Sequence, residues 1–259
     1  MSLGAVSEAV VLMAGAGSRL RSGTRTVPKP LVPILGRPLI SYTFDALRKA
    51  GIQTVHAVVG FESDAVSREV ERLAPLGLTV RFIENRDWQK QNGVSVLAAA
   101  SHVSGPFVLT MSDHLFDQSI LDSLLHDRAH EELSLAVDYK IESIFDREDA
   151  MKVQTRGDRI VTLGKNLETY DAIDTGVFVC TGELFKHLDR EKTRLNGDCS
   201  LADGVRSLAA LGMARAVDIG DAWWQDVDTG EMLVAAEEHL RAISAVADRT
   251  EGQRRHRDE

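Results

Sequence analysis

Short apolar runs alternate with amphipathic stretches along most of the chain. Residues 9–13, 54–59, 79–84 and 106–111 each hold a cluster of apolar, often β-branched residues, and read as strands. Between them lie segments with helical spacing. Residues 38–50 carry Leu39, Tyr42, Phe44 and Leu47, and residues 63–73 and 93–102 complete the set. Gly51 and Gly77 stand where helix C-caps are expected. Strands alternating with helices of this length predict an α/β fold with a Rossmann-like, mostly parallel central sheet flanked by helices. The second half is less regular. Strand-like pieces at 133–139, 151–155, 159–163 and 175–180 are followed by helical stretches near 182–188, 200–211 and 231–246. With no repeat or flexible linker in view, residues 1–247 read as one domain. Residues 248–259 are charged and lack an apolar anchor, and are expected to form a disordered tail.

The stretch from Val10 to Pro33 carries the most chemistry. An apolar run ending at Leu12 and Met13 leads into Ala14, Gly15, Ala16 and Gly17, where small residues let backbone N–H groups approach an anion closely. Arg19 adds a planar fork of donors, and Lys29, between Pro28 and Pro30, adds a point charge on a stiffened segment. An ordinary strand-to-helix turn is the plain alternative. The P-loop ending Gly-Lys-Ser/Thr is absent, and Ser18-Arg19-Leu20 follows Gly17, so the third glycine of the dinucleotide fingerprint is absent too.

Length and charge narrow the partner. The 259 residues can build one large α/β domain. A net charge of −9 argues against a nucleic-acid groove or an anionic membrane as the main partner, so a local basic loop points to a small anionic ligand. Cys180 and Cys199 are too few for a disulfide framework or a zinc site and suit a reducing compartment. No stretch approaches the roughly 18 to 20 apolar residues of a membrane span. A soluble, cytoplasmic chain is expected.

A second site lies at Val108 to His114, an apolar strand ending in an acid. Ligands gather at the carboxyl ends of strands in open α/β sheets, so Asp113 is placed to meet whatever the first loop binds. A carboxylate facing a triphosphate needs a cation between them, which makes Asp113 a candidate Mg²⁺ ligand; capping a following helix is the alternative.

Together these motifs resemble the sugar-phosphate nucleotidyltransferases of GT-A type. Their signature is matched by Gly15, Gly17, Ser18, Arg19 and Leu20, then Pro28, Lys29, Pro30 and Leu31, with Ala14 where many members have a glycine and Ser18 where they have threonine. The resemblance implies Arg19 and Lys29 as catalytic residues on the triphosphate, with Leu12, Ala14 to Gly17 and Ser112 around the nucleotide. It puts the second metal acid at Asp226 in Trp224-Gln225-Asp226, and leaves Asp228 to cap the helix near Gly230, which Thr229 could do equally well. It makes Lys165 the holder of the acceptor phosphate and Asp174 a reader of vicinal hydroxyls. Asn92 and Gly93 resemble the base-reading turn, although a simple Asn-Gly turn is the alternative.

Residues 111–114, 164–176 and 224–229 are most similar to the inositol-1-phosphate cytidylyltransferase branch. That implies CTP and inositol 1-phosphate as substrates, Mg²⁺ as cofactor, CDP-inositol as product and phospholipid biosynthesis as context. Some relatives carry a fused membrane phosphotransferase; here a separate one would consume the product. Choline-phosphate and hexose-1-phosphate enzymes, and a catalytically silent nucleotide-sugar-binding protein, stay open as alternatives.

Overall fold

A computed structural model describes residues 6–17, 19–20, 27–126 and 133–255, with side chains described to residue 245. Ser18, part of the N-terminal signature, and residues 256–259 of the expected tail lie outside these.

The chain runs β1 (Glu8–Met13), β2 (Pro33–Ile34), β3 (Arg37–Pro38), α1 (Leu39–Lys49), β4 (Thr54–Val59), α2 (Ser63–Leu73), β5 (Thr79–Glu84), α3 (Asn92–Ala98), β6 (Phe107–Met111), β7 (His114–Phe116) and α4 (Gln118–His126). It continues through β8 (Leu133–Asp138), β9 (Lys152–Arg156), β10 (Arg159–Gly164), β11 (Ala172–Cys180), α5 (Gly182–Arg194), α6 (Leu201–Ala209), β12 (Ala214–Asp218), β13 (Trp224–Asp226) and α7 (Gly230–Arg255). A nine-stranded sheet orders these strands β5-β4-β1-β6-β11-β8-β12-β10-β9.

The sheet is mixed. Parallel pairing holds over β5, β4, β1 and β6 and again between β8 and β12. β11 runs antiparallel to β6, β8 and β9, and β10 runs antiparallel to its neighbours. The expectation of a mostly parallel sheet therefore holds for the first half. In the second half, the two-residue turn at 157–158 can join β9 and β10 only as antiparallel strands, and β11 enters between β6 and β8 against the direction of both.

Alternation along β1 explains the two layers. Val10 and Leu12 face a core shared with α3, α5 and α6, while Ala9, Val11 and Met13 face one shared with α1, α2 and α4. A smaller third cluster joins Leu20, Leu115, Val227 and Leu233. Each is adjacent in sequence to a residue of the site or to its supporting turn, so their burial, worth about 1.5–3 kcal/mol apiece, seats the functional segments.

Gly51 has φ +87° just past α1, as a C-cap glycine should. Gly77 has φ +88° but lies in the turn before β5, because α2 already ends at Leu73. α7 extends to Arg255, into the charged stretch that begins at Asp248.

Candidate active site

The site forms where β1 and β6 lie side by side and end. Three backbone hydrogen bonds fix its frame: Ser112 N donates to Leu12 O at 3.0 Å, Phe61 N to Ala14 O at 2.9 Å, and Val227 N to Asp113 O at 2.9 Å. The last of these ties the segment bearing Asp226 and Asp228 to Asp113. β13 pairs antiparallel with β7, with Asp226 opposite His114, and Trp223 N donates to Asp117 Oδ2 at 2.8 Å.

Lys29 sits at the start of a single 3₁₀ turn, Lys29–Leu31, shaped by Pro28 and Pro30. It reaches the site because Gly17, at φ +62°, lacks a Cβ; one built there would lie 2.8 Å from Lys29 Cβ. Lys29 Nζ donates to Asp113 Oδ2 at 2.5 Å and also to Asp228 Oδ1. Burial works against its charge, yet the two carboxylates hold the ammonium above its ordinary pKa. Burial likewise would push Asp113 up, but Lys29 and then His114, whose Nδ1 is 2.6 Å from Asp113 Oδ1, hold its carboxyl well below the usual range. The His114 imidazole is raised in return: Asp113 outweighs the cost of burial.

Arg19 continues the chain of charges. Its guanidinium donates to Asp228 Oδ2 at 2.5 Å and to Asp149 Oδ2 at 2.7 Å, and Lys165 Nζ donates to Asp149 Oδ1 at 2.5 Å. Cations and carboxylates thus alternate from Lys165 through Asp149, Arg19, Asp228 and Lys29 to Asp113. Asp226 stands apart, with no ion pair among the described residues and only Gln225 Nε2 donating to its side chain, at 3.1 Å. Burial pushes the Asp226 carboxyl up; His114 opposes this, while Asp228 and Asp113 add to it.

Two cavities flank this line. One of about 300 Å³ is bordered by Leu12, Ala14, Gly15, Gly17, Lys29 and Ser112, with Trp88 and Lys90 on its far side. The other, about 580 Å³, is bordered by Lys165, Asp174, Asp226, His114 and the aromatic side chains Phe145, Trp223 and Trp224. Arg19, Asn92, Met111, Asp113 and Asp228 border both. Asp174 lies at a register shift in β11, where its Oδ1 accepts from Gly176 N at 2.7 Å. Burial raises its pKa to about 6 against that hydrogen bond. Gly176, at φ +75°, leaves room for His114: a Cβ there would be 2.3 Å from the ring.

A profile of the MobA-like NTP transferase domain matches residues 9–258. The chain belongs to this family. A bifunctional IPC transferase and DIPP synthase from Rubrobacter xylanophilus is 36% identical over 240 residues, covering 92% of this chain and 52% of that protein. Its namesake from Aquifex aeolicus is 30% identical over 248 residues, covering 94% and 54%. The chain thus spans about half the length of the curated relatives it matches. The solved structure of the inositol-1-phosphate CTP transferase from T. maritima is similar with a TM-score of 0.79 and 31% identity, covering 89% of this chain and 92% of that one. The fold is accordingly the α/β nucleotidyltransferase fold of GT-A type, a central mixed sheet flanked by helices.

For this NTP transferase domain, the structure brings together most of the residues singled out in the sequence. Two do not border either cavity. Ala16 is one, and Gly93 is the other: a Cβ on Gly93 would lie 2.7 Å from Cys199 O, so this glycine serves the close packing of α3 against the turn before α6. Asn92 borders both cavities, but its Oδ1 accepts from Leu201 N at 2.8 Å and caps α6. The helix-capping role assigned to Asp228 belongs to Thr229, whose Oγ1 accepts from Met232 N at 3.2 Å, leaving Asp228 to pair with Lys29 and Arg19. Asp149, Trp88 and Lys90 were not anticipated. An acid in an irregular loop carries no local signal of its partners, whereas Gly60 hints at Trp88: a Cβ there would lie 2.3 Å from Trp88 Cβ.

Proposed function

We propose that this chain joins CTP and inositol 1-phosphate to give CDP-inositol and pyrophosphate. The observation that carries this reading is the pair of cavities meeting at Arg19, Asp113 and Asp228, with the glycine loop and Lys29 on one side and Lys165 and Asp174 on the other. A phosphate donor and a phosphorylated acceptor held in these two cavities would face each other at that junction. The likeness to the T. maritima CTP transferase supports the choice of nucleotide and acceptor.

The acceptor phosphate is itself the nucleophile. Its second pKa is about 6, so it is ionised at neutral pH and requires no general base. The protein's task is positioning and charge neutralisation. Arg19 and Lys29 donate to the triphosphate, Lys165 holds the acceptor phosphate for in-line attack at the α-phosphorus, and Asp174 accepts hydrogen bonds from ring hydroxyls. His114 holds Asp113 in place and needs no proton-transfer role.

Asp113 and Asp226 suit a hard divalent cation. Asp226 is substantially buried, is without an ion pair among the described residues and is crowded by two other carboxylates, a charge imbalance that a cation would relieve. Among the described residues no group of three or more His, Cys, Asp or Glu side chains is placed to hold a metal ion, so substrate phosphates would have to complete the coordination around these two acids. When bound there, Mg²⁺ would neutralise charge on the nucleotide phosphates.

No described helix is long and apolar enough to cross a membrane. The reading includes a cytoplasmic enzyme whose product a membrane phosphotransferase consumes.

A pyrophosphate-release screen of the four nucleoside triphosphates against inositol 1-phosphate, hexose 1-phosphates and choline phosphate tests the proposal. The fastest release is expected from CTP with inositol 1-phosphate. Release with no pair would favour a nucleotide-binding protein. Choline phosphate belongs in the panel because Phe145, Trp223 and Trp224 line the acceptor cavity beside several carboxylates, surroundings that also suit a quaternary ammonium. Faster CDP-choline formation would overturn the polyol assignment.

A further inference from the structure

Asp149 lies between two cations that the proposed reaction uses for phosphate. Its two oxygens are divided between them, Oδ2 on Arg19 at 2.7 Å and Oδ1 on Lys165 at 2.5 Å. The loop that bears it is held in place. Asp149 N donates to Asp146 Oδ1 at 3.3 Å, and Lys152 Nζ donates both to Glu148 O at 3.1 Å and to Lys165 O at 2.6 Å, tying the loop to the end of β10. All three charged side chains are well exposed, 53% for Arg19, 41% for Asp149 and 49% for Lys165, so these ion pairs are inexpensive to exchange. Arg19 borders both cavities, whereas Asp149 and Lys165 border only the larger one, so the Asp149 carboxylate lies in the larger cavity against a cation that the two cavities share.

We propose that Asp149 is a specificity-determining anion: it occupies the cation pair Arg19 and Lys165 when substrate is absent, and an incoming phosphate must displace it. This rests on the assignment of Lys165 to the acceptor phosphate. The exchange sorts anions by charge. Replacing one carboxylate by another monoanion gains almost nothing, because the same two cations meet the same charge before and after. A phosphate dianion brings twice the charge and three acceptor oxygens, and wins the exchange. Asp149 thereby keeps carboxylates and other monoanions out of the larger cavity while leaving it open to a phosphate monoester. The same competition limits how tightly phosphate-bearing products are held.

The test is calorimetric titration of the free protein with inorganic phosphate and, separately, with acetate, using wild type, Asp149→Asn and Asp149→Glu. Removing one like charge at near-contact distance in a water-exposed site is expected to tighten phosphate binding about threefold to tenfold in Asp149→Asn. Acetate, too weak to measure on the wild type, should bind detectably to Asp149→Asn. Asp149→Glu, which restores the charge, should behave like wild type toward both. Phosphate affinity unchanged or weakened in Asp149→Asn would overturn the proposal, as would equal behaviour of the Asn and Glu variants. Binding is measured without turnover, so these titrations stay informative even if the nucleotidyl-transfer assay fails. If turnover is observed, the acceptor KM should fall in Asp149→Asn without a rise in kcat, and inhibition by inorganic phosphate should strengthen.

Discussion

The two cavities are built in different ways. The smaller one draws half of its lining from one stretch, the end of β1, its loop, Lys29 and Pro30, and completes it with the end of the adjacent parallel strand β6, the start of α3 with the loop before it, and Asp228. The larger one gathers side chains from β7, the loop before β9, the ends of β10 and β11, and β13, where the sheet has turned antiparallel. A parallel layer delivers its loops to one edge as a matter of topology, so a short motif can specify a phosphate cradle. The larger cavity has no such rule. Its residues meet only because β11 inserts between β6 and β8 and because β13 pairs with β7. On the proposed reading, the general chemistry of holding polyphosphate is written largely locally, and the narrower chemistry of choosing an acceptor is written in long-range contacts.

The largest expected effects fall on the two acids of the proposed metal site, Asp113 where the cavities meet and Asp226 beside it in the larger one. Asp113→Ala and Asp226→Ala should each lower turnover by about a hundredfold or more; Asp226→Ala should leave the melting temperature nearly unchanged, whereas Asp113→Ala also strips Lys29 and His114 of their shared carboxylate and should lower it. Near-normal turnover of either variant at saturating Mg²⁺ would take that residue out of the proposed metal site.

The comparison is sharpened by pairing one substitution from each cavity. Lys29→Ala removes charge-assisted hydrogen bonds worth roughly 1.5–3 kcal/mol and should lower kcat/KM for the nucleotide about tenfold to a hundredfold. Lys165→Ala, on a half-exposed side chain, should raise the acceptor KM by a smaller factor, about threefold to tenfold, with nucleotide affinity unchanged. Steady-state kinetics with each substrate varied in turn separates the two; a Lys165 variant that affects the nucleotide more than the acceptor would break the division.

The smallest effect concerns stability. The Asp174 carboxyl keeps its proton up to about pH 6 in the fold, whereas an unfolded-chain aspartate loses it near 3.8. The folded state therefore binds more protons in that interval, and stability declines as pH rises through it. Asp174→Asn removes the penalty and should stabilise the protein at pH 8, by about 3 kcal/mol at most, with little difference at pH 4. Denaturant melts at the two pH values check this. The same variant should discriminate polyol phosphates less well, the trade of stability for function expected of a buried acid kept for recognition.

Much of the parallel half was legible before the fold was known. The intervals 54–59, 63–73 and 79–84 coincide with β4, α2 and β5, because each carries a complete local signal of period and flanking turn residues. β7, α4, β12 and β13 were missed. β7 and β13 are only three residues long, too short to show a period, and their pairing joins positions more than a hundred residues apart. α7 outran its sequence limit because its charged end gives no apolar stripe to read.

By itself, the sequence determined that the chain would alternate strands and helices, that a bare glycine loop with Arg19 and Lys29 would follow the first strand, and that Asp113 would stand at a strand end facing it. Those features depend on local backbone preference and on hydrophobic period, which neighbouring residues fix. Only the tertiary structure decided that Asp228 pairs with Lys29 and Arg19 instead of capping α7, that Gly93 is a packing glycine, and that Asp149 links Arg19 to Lys165. A charged side chain finds its partner through space, and which acid reaches which base is settled by strand order and by the small residues that let the backbones come close.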